Sequence, residues 1–119
     1  MVRRLFELFE ARRWDDAAAL VHADVVVEWP VTGERFRGRE RFIGVNRAYP
    51  EGWTITVGRV LAAGPEVASE VFVTQDGVTF VDAAFWTVED GLIRAGVEYW
   101  ATVGGERAPA WRARWAEPG

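Results

Sequence analysis

Three acidic residues, Glu70, Asp82 and Glu98, interrupt apolar runs in the C-terminal half of the chain. Phe72, Phe80, Trp86 and Trp100 stand at even-numbered steps from them. A step of two keeps side chains on one face of a strand. If these runs pair as hairpins, acids and aromatics share a surface. Carboxyls among aromatic rings resist ionisation, and a neighbouring carboxyl adds to that resistance, so at least one pKa rises. An acid that keeps its proton near neutral pH can serve as a general acid or donate to an oxyanion.

The register follows from the turns. Glu89-Asp90-Gly91 suits a three-residue hairpin loop with glycine in the left-handed position. Val88 then faces Leu92, and the pairs are Trp86 with Arg94, Ala84 with Gly96, Asp82 with Glu98, and Phe80 with Trp100. The same loop at Gln75-Asp76-Gly77 puts Glu70 beside Asp82 and Phe72 beside Phe80. A two-residue loop would slip the register and dissolve the row. The other face collects Val81, Ala83, Phe85, Ile93, Ala95, Val97 and Tyr99. Like charges directly opposite destabilise a sheet, so the acid row needs a reason. A pocket wall is one reading, with Trp29 and Tyr49 joining it from elsewhere in the chain. A wet face neutralised by Arg94 or Arg59 is the other.

What lies around these acids narrows the chemistry. There is no cysteine, so no thiolate nucleophile, disulfide or thiolate metal site. All 14 basic residues are arginine, which excludes a lysine Schiff base. Ser69 and His22 are the only residues of their types and fall in different elements. Catalysis would therefore run on carboxylates, arginine, tyrosine and bound water. Three carboxylates are too few for a hard metal without further ligands, and no metal or cofactor motif is visible. A net charge of −4 with no basic run argues against a nucleic-acid partner. No apolar run reaches membrane-spanning length. Glu7 and Glu10 break the N-terminal apolar run, so no signal peptide is expected and the location reads as cytoplasmic.

The elements that must position these groups are legible. Val2–Arg13 has the one-face spacing of a helix. Asp15 can cap a short helix over Asp16–His22, with His22 at its C-terminus. Val25–Trp29 reads as a strand, Thr32–Gly38 as a turn with a short edge strand, and Arg39–Tyr49 as a helix stopped by Pro50. Four strands follow, Trp53–Ala63, Glu66–Gln75, Val78–Val88 and Leu92–Val103. At 119 residues the chain makes one α+β domain, 1–119, with a core over 2–103 and a tail over 104–119. Trp111 and Trp115 in the tail are spaced so that one helical turn could dock both.

The segment LFELFEARRWDDAAALVHADVVVEWP (Leu5 to Pro30) resembles the opening of SnoaL-like and ketosteroid-isomerase-like proteins of the nuclear-transport-factor-2-like superfamily. GERFRGRERFIGVNRAYP and DGLIRAGVEYW continue the resemblance over nearly all of residues 2–103. It implies a cone-shaped, curved antiparallel sheet wrapped on the N-terminal helices and enclosing an apolar pocket, and a homodimer through the outer sheet face. The first and third helices should close one end, with Trp29, Phe72, Trp86 and Trp100 in the wall.

Residue roles transfer unevenly. The general-base aspartate of ketosteroid isomerases falls at Trp29 and their helical oxyanion tyrosine at Leu5, so steroid isomerisation is not implied. Their second oxyanion donor falls near Asp82. The last-strand acid of limonene-epoxide hydrolases falls on Glu98, but no arginine occupies Val67–Thr74 to serve it. The acid/base aspartate of SnoaL-type cyclases also matches Glu98, with Gly96 where a histidine often stands. The expectation is a pocket for a small apolar molecule, with Glu98 and Asp82 as acid/base groups of a cyclase, isomerase or hydrolase. The alternative is a non-catalytic ligand-binding or accessory homodimer. The expected binding residues are Trp29, Tyr49, Glu70, Phe72, Phe80, Trp86 and Trp100.

Overall fold

Val2, Leu5, Phe6, Leu8 and Phe9 form one apolar stripe, and helix α1 (Val2–Glu10) buries all five. The structure, a computed structural model, describes residues 1–119. A short helix α2 (Trp14–Ala18) follows, then β1 (Val21–Trp29), β2 (Glu34–Arg37) and α3 (Arg39–Ala48). Four long strands complete the sheet: β3 (Thr54–Ala63), β4 (Glu66–Gln75), β5 (Val78–Glu89) and β6 (Leu92–Thr102). The strand order is β2-β1-β6-β5-β4-β3. Every pairing is antiparallel except β1 with β6. Register shifts in β1/β6, β3/β4 and β5/β6 bend the sheet. The result is the expected α+β cone, a curved open sheet with the helices on its concave side.

Aromatic packing ties helix to sheet. Phe6 and Phe42 lie with ring centroids 6.0 and 6.1 Å from Trp86, and Phe9 lies 6.1 Å from Phe42. Trp86 is wholly buried, and its Nε1 donates to Ser69 Oγ at 2.8 Å. No helix is long and apolar enough to cross a membrane.

The hairpins differ from expectation in an instructive way. Both loops have two residues, not three. Asp76-Gly77 and Asp90-Gly91 have φ of 52° and 78°, and 53° and 74°. Two positive φ values in succession make the turn that matches strand twist. At β4/β5 nothing compensates, so Val71 pairs with Asp82, Glu70 with Ala83 and Phe72 with Val81. Glu70 and Phe72 therefore sit on the outer face and leave the row.

At β5/β6 a bulge does compensate. Glu89 pairs with Leu92 and Val88 with Ile93, but Thr87 pairs with Ala95, leaving Arg94 as the extra residue. Beyond the bulge Asp82, Trp86, Gly96, Glu98 and Trp100 share the concave face as expected, with each partner displaced by two. Trp86 pairs with Gly96, Ala84 with Glu98, and Asp82 with Trp100. Ile93, on the near side of the bulge, turns inward and is fully buried rather than outward.

Two smaller expectations also change. His22 lies in β1, not at a helix end, and its Nδ1 accepts the Asp24 backbone N–H at 3.0 Å. The tail holds only a 3-10 turn, Ala110–Arg112, and Trp111 and Trp115 are 70% and 75% exposed rather than docked.

Candidate functional site

A cavity of about 990 Å³ opens between α1, α3 and the concave sheet. Helix α1 contributes Phe6 and Phe9, and α3 with its end contributes Val45, Asn46 and Tyr49. The sheet supplies Ile55 from β3, with Trp53 just before that strand, Val73 from β4, Phe80 from β5, and Glu98 and Trp100 from β6. Trp29 enters from the end of β1, where Pro30 stops the strand. Its ring lies 4.5 Å from Phe36 and 6.1 Å from Trp100 by centroids, near perpendicular to both.

Trp29, Tyr49, Phe80, Glu98 and Trp100 are thus brought together. Asp82 is not in the wall but behind it, wholly buried on the same face as Glu98. Trp86 lies deeper, in the core. Glu70 is on the opposite side of the sheet, where the Arg59 guanidinium bonds both its oxygens at 3.2 Å and holds its carboxyl below the usual range.

Glu98 is 2% exposed, and Trp29 Nε1 donates to its Oε1 at 3.1 Å. Asp82 receives no N–H or O–H from any fixed donor. The Glu98 carboxyl lies beside it, and two carboxyls can bond only when one carries a proton. Burial, then the charge of Glu98, drives the Asp82 pKa far upward. Burial also raises Glu98, but contacts from Asp82 and the Trp29 N–H pull it back. Asp82 is therefore the natural holder of the shared proton, and Glu98 the member that presents an oxygen to the cavity. No cation neutralises either acid. Arg94 donates to the Asp24 carbonyl instead, and Arg59 is engaged with Glu70.

The bulge explains a further departure. A Cβ added at Gly96 would collide with the ring of its cross-strand partner Trp86. Any side chain there must displace the buried Trp86 ring, so glycine rather than histidine stands two residues before Glu98.

Sequence reasoning missed Trp53 and the roof residues Phe6 and Phe9. The helical stripe flagged the phenylalanines as core but could not show that part of that core is hollow. Trp53 follows the breaker Pro50, and Arg12 fixes it there. The guanidinium lies 3.3 Å from the ring centroid and donates to the Trp53 carbonyl and Glu51 Oε1, both at 2.8 Å. The indole N–H groups of Trp53 and Trp100 have no protein acceptor. No three acidic or histidine side chains converge as metal ligands would.

A family profile described as a SnoaL-like domain matches residues 2–96. The chain belongs to the SnoaL-like family. Among solved structures, this SnoaL-like protein is similar to a candidate ketosteroid isomerase from Kribbella flavida DSM 17836. The two are 34% identical with a TM-score of 0.91, over 99% of this chain and 86% of that one. It also resembles an NTF-2-like protein of unknown function from Burkholderia xenovorans LB400, at 19% identity and a TM-score of 0.81, over 98% and 91% of the chains. The fold recurs in a limonene-epoxide-hydrolase-like (LEH-like) epoxide hydrolase from M. tuberculosis, at 24% identity and a TM-score of 0.70, over 84% and 79%. No protein of curated function matches the sequence.

Proposed function

We propose that this SnoaL-like protein catalyses proton transfer at carbon in a small, largely apolar carbonyl compound, as an isomerase or cyclase. The observation that carries the reading is the Asp82–Glu98 pair. One carboxyl faces a large aromatic cavity, and the other is sealed behind it with no donor of its own, beside the first and able to bond to it when one of them is protonated. Structural acids are normally bonded to donors or cations. An apolar wall that spends two carboxyls on each other raises their proton affinity toward the range useful at neutral pH.

In the proposed step the pair has given up one of its two protons, Asp82 keeps the other, and Glu98 takes a proton from the carbon next to the carbonyl. The C–H electron pair becomes the enolate double bond, and negative charge moves to the carbonyl oxygen. Trp100, two residues along the same face, packs its ring beside that position. Glu98 then returns its proton to a different carbon. Asp82 touches no substrate and positions the Glu98 carboxyl by hydrogen-bonding to it. The Kribbella relative, described as a candidate ketosteroid isomerase, lies within this chemistry. Epoxide hydrolysis has less support, because no arginine lines the cavity.

The test is exchange of α-protons in deuterated water, followed by NMR across a panel of small cyclic ketones. Exchange should exceed the buffer rate for at least one ketone and fall at least 100-fold in Glu98→Gln. No ketone exchanging above buffer, or undiminished exchange in the variant, sinks the reading.

The assembly is part of the proposal. Leu61, Ala68, Phe85 and Val97 are successive partners across the outer face and make an apolar band. A second copy packed on this face would cover it, giving a homodimer with two outward-facing cavities.

A further inference from the structure

The charges around the cavity are all of one sign. Glu34, Glu98 and Glu106 line it, and none of the chain's arginines, nor His22, does. The innermost acid, Glu98, shares the wall with the indoles of Trp29 and Trp100. Trp29 spends its N–H edge on Glu98, and its ring meets Trp100 at 72° with 6.1 Å between centroids. The electron-rich faces of indoles attract cations within about 6 Å of the ring centre. A buried carboxyl beside two indoles, in a cavity with no cation of its own, suits a positive centre and is hostile to an anion. The same corner gives a neutral ligand only apolar contact.

We infer that the cavity selects molecules carrying a protonated amine or quaternary ammonium, seated against Glu98 between Trp29 and Trp100. This names the substrate class of the reaction proposed above and rests on that site, although binding can be read without turnover. The cation has a second consequence. In the free site the buried carboxyls avoid charge by keeping protons. A cation in the corner takes over that role, so its entry expels a proton. The other titratable groups facing the corner are Glu34 and Glu106 at the rim and Tyr49 from the end of α3. Affinity for the cation should therefore rise with pH, while affinity for a neutral ligand should not.

The test uses three matched probes: 3-phenylpropylammonium, 3-phenylpropanol and 3-phenylpropanoate. Calorimetry at pH 7.5, in two buffers of different ionisation enthalpy, reads both affinity and proton release. The ammonium should bind at least tenfold tighter than the alcohol and release a proton, and the carboxylate should bind weakest. Glu98→Gln should erase the preference for the ammonium but leave alcohol binding within about threefold. Glu34→Gln with Glu106→Gln, at the rim, should lower the ammonium preference less than Glu98→Gln does. An alcohol or carboxylate that binds as tightly as the ammonium overturns the inference, as does an ammonium that fails to bind at 10 mM. Ketone exchange that persists after such a failure would leave the proton-transfer reading standing. A cation preference without exchange would do the reverse.

Discussion

Asp82 lies one diagonal step from Glu98 on the concave face: its cross-strand partner is Trp100, while Glu98 pairs with Ala84. A diagonal neighbour is farther away than one directly opposite, yet still within reach of long side chains. Two acids so placed can share a proton without being pressed together. The pair should titrate as a unit, with apparent values that belong to both.

That relationship sets the pH dependence of stability. Burial pushes the Asp82 pKa up to about 11, and Glu98 is raised with it. The folded state thus keeps protons that the unfolded chain releases near pH 4. The stability they contribute is full below that pH and falls as pH rises toward the folded values. The slope is at most about 1.4 kcal/mol per pH unit for each retained proton. Glu51 and Glu70 act oppositely, because their arginine partners lower their pKa, but both pairs are exposed and screened. Urea unfolding at pH 5, 7 and 9 should show a steady loss of stability. A rise over that range would mean the pair is ionised in the folded protein.

Asp82→Asn isolates the buried proton. The amide is isosteric and can donate to Glu98 without any titration. The variant should be more stable than the parent at pH 7 by about 1 kcal/mol or more and should flatten the pH dependence. Glu98-dependent proton exchange should persist, because the amide still donates to the Glu98 carboxyl and positions it. Destabilisation by a kilocalorie or more would instead place a cation on Asp82.

Trp29→Phe keeps most of the ring and removes one N–H donor. Because that N–H lowers the Glu98 pKa, its loss should move the Glu98 titration to higher pH. Carboxyl-carbon NMR with labelled glutamate reads the shift directly. The missing bond should cost about 1–2 kcal/mol of stability. A titration that stays put would show that the bond is not kept in solution.

How much of this was legible depended on which physical signal carried it. Strand bounds came through because Asp-Gly turns and alternation are local; β4 runs over Glu66–Gln75 as its sequence implies. Loop length was the weak point. Asp-Gly after Gln75 or Glu89 fits a two- or three-residue turn equally well, and at Asp76-Gly77 the choice decides on which face Glu70 and Phe72 emerge. Asp82 and Glu98 kept their shared face only because a bulge at Arg94 restored the parity that the short loop removed. Nothing local marks Arg94 as extra, since the bulge exists to seat Trp86 over Gly96 and turn Ile93 inward. The hollow beneath Phe6, Phe9 and Trp53 was equally invisible, because a cavity wall and a filled core have the same residue types.

Gly96→Ala tests that packing. The added methyl group meets the Trp86 ring, which is buried and anchored by its bond to Ser69. Overpacking of this kind costs about 1–3 kcal/mol. Thermal unfolding should show the loss, and Trp86→Leu in the same chain should recover part of it relative to additive costs. Additive losses would mean the two sites are not in contact.

The outer face makes the last expectation. Phe85 is 60% and Tyr99 45% exposed, and Leu61 is 66% exposed at the edge of the same band. These rings and branched chains leave water only if another surface covers them, at about 25 cal/mol for each Å² of apolar area removed. Phe85→Glu places a charge in the middle of the band without touching the concave face, because Phe85 points away from its neighbours Ala84 and Trp86. Light scattering of the parent at micromolar concentration should give twice the chain mass, and Phe85→Glu should give the single-chain mass. The variant should keep its secondary structure and its cavity, read by unchanged near-ultraviolet signals from the buried tryptophans. A parent that is already monomeric at 100 µM would show that the band is tolerated in water. A variant that remains dimeric would move the interface elsewhere, with the exposed Trp111 and Trp115 of the tail the next surface to alter.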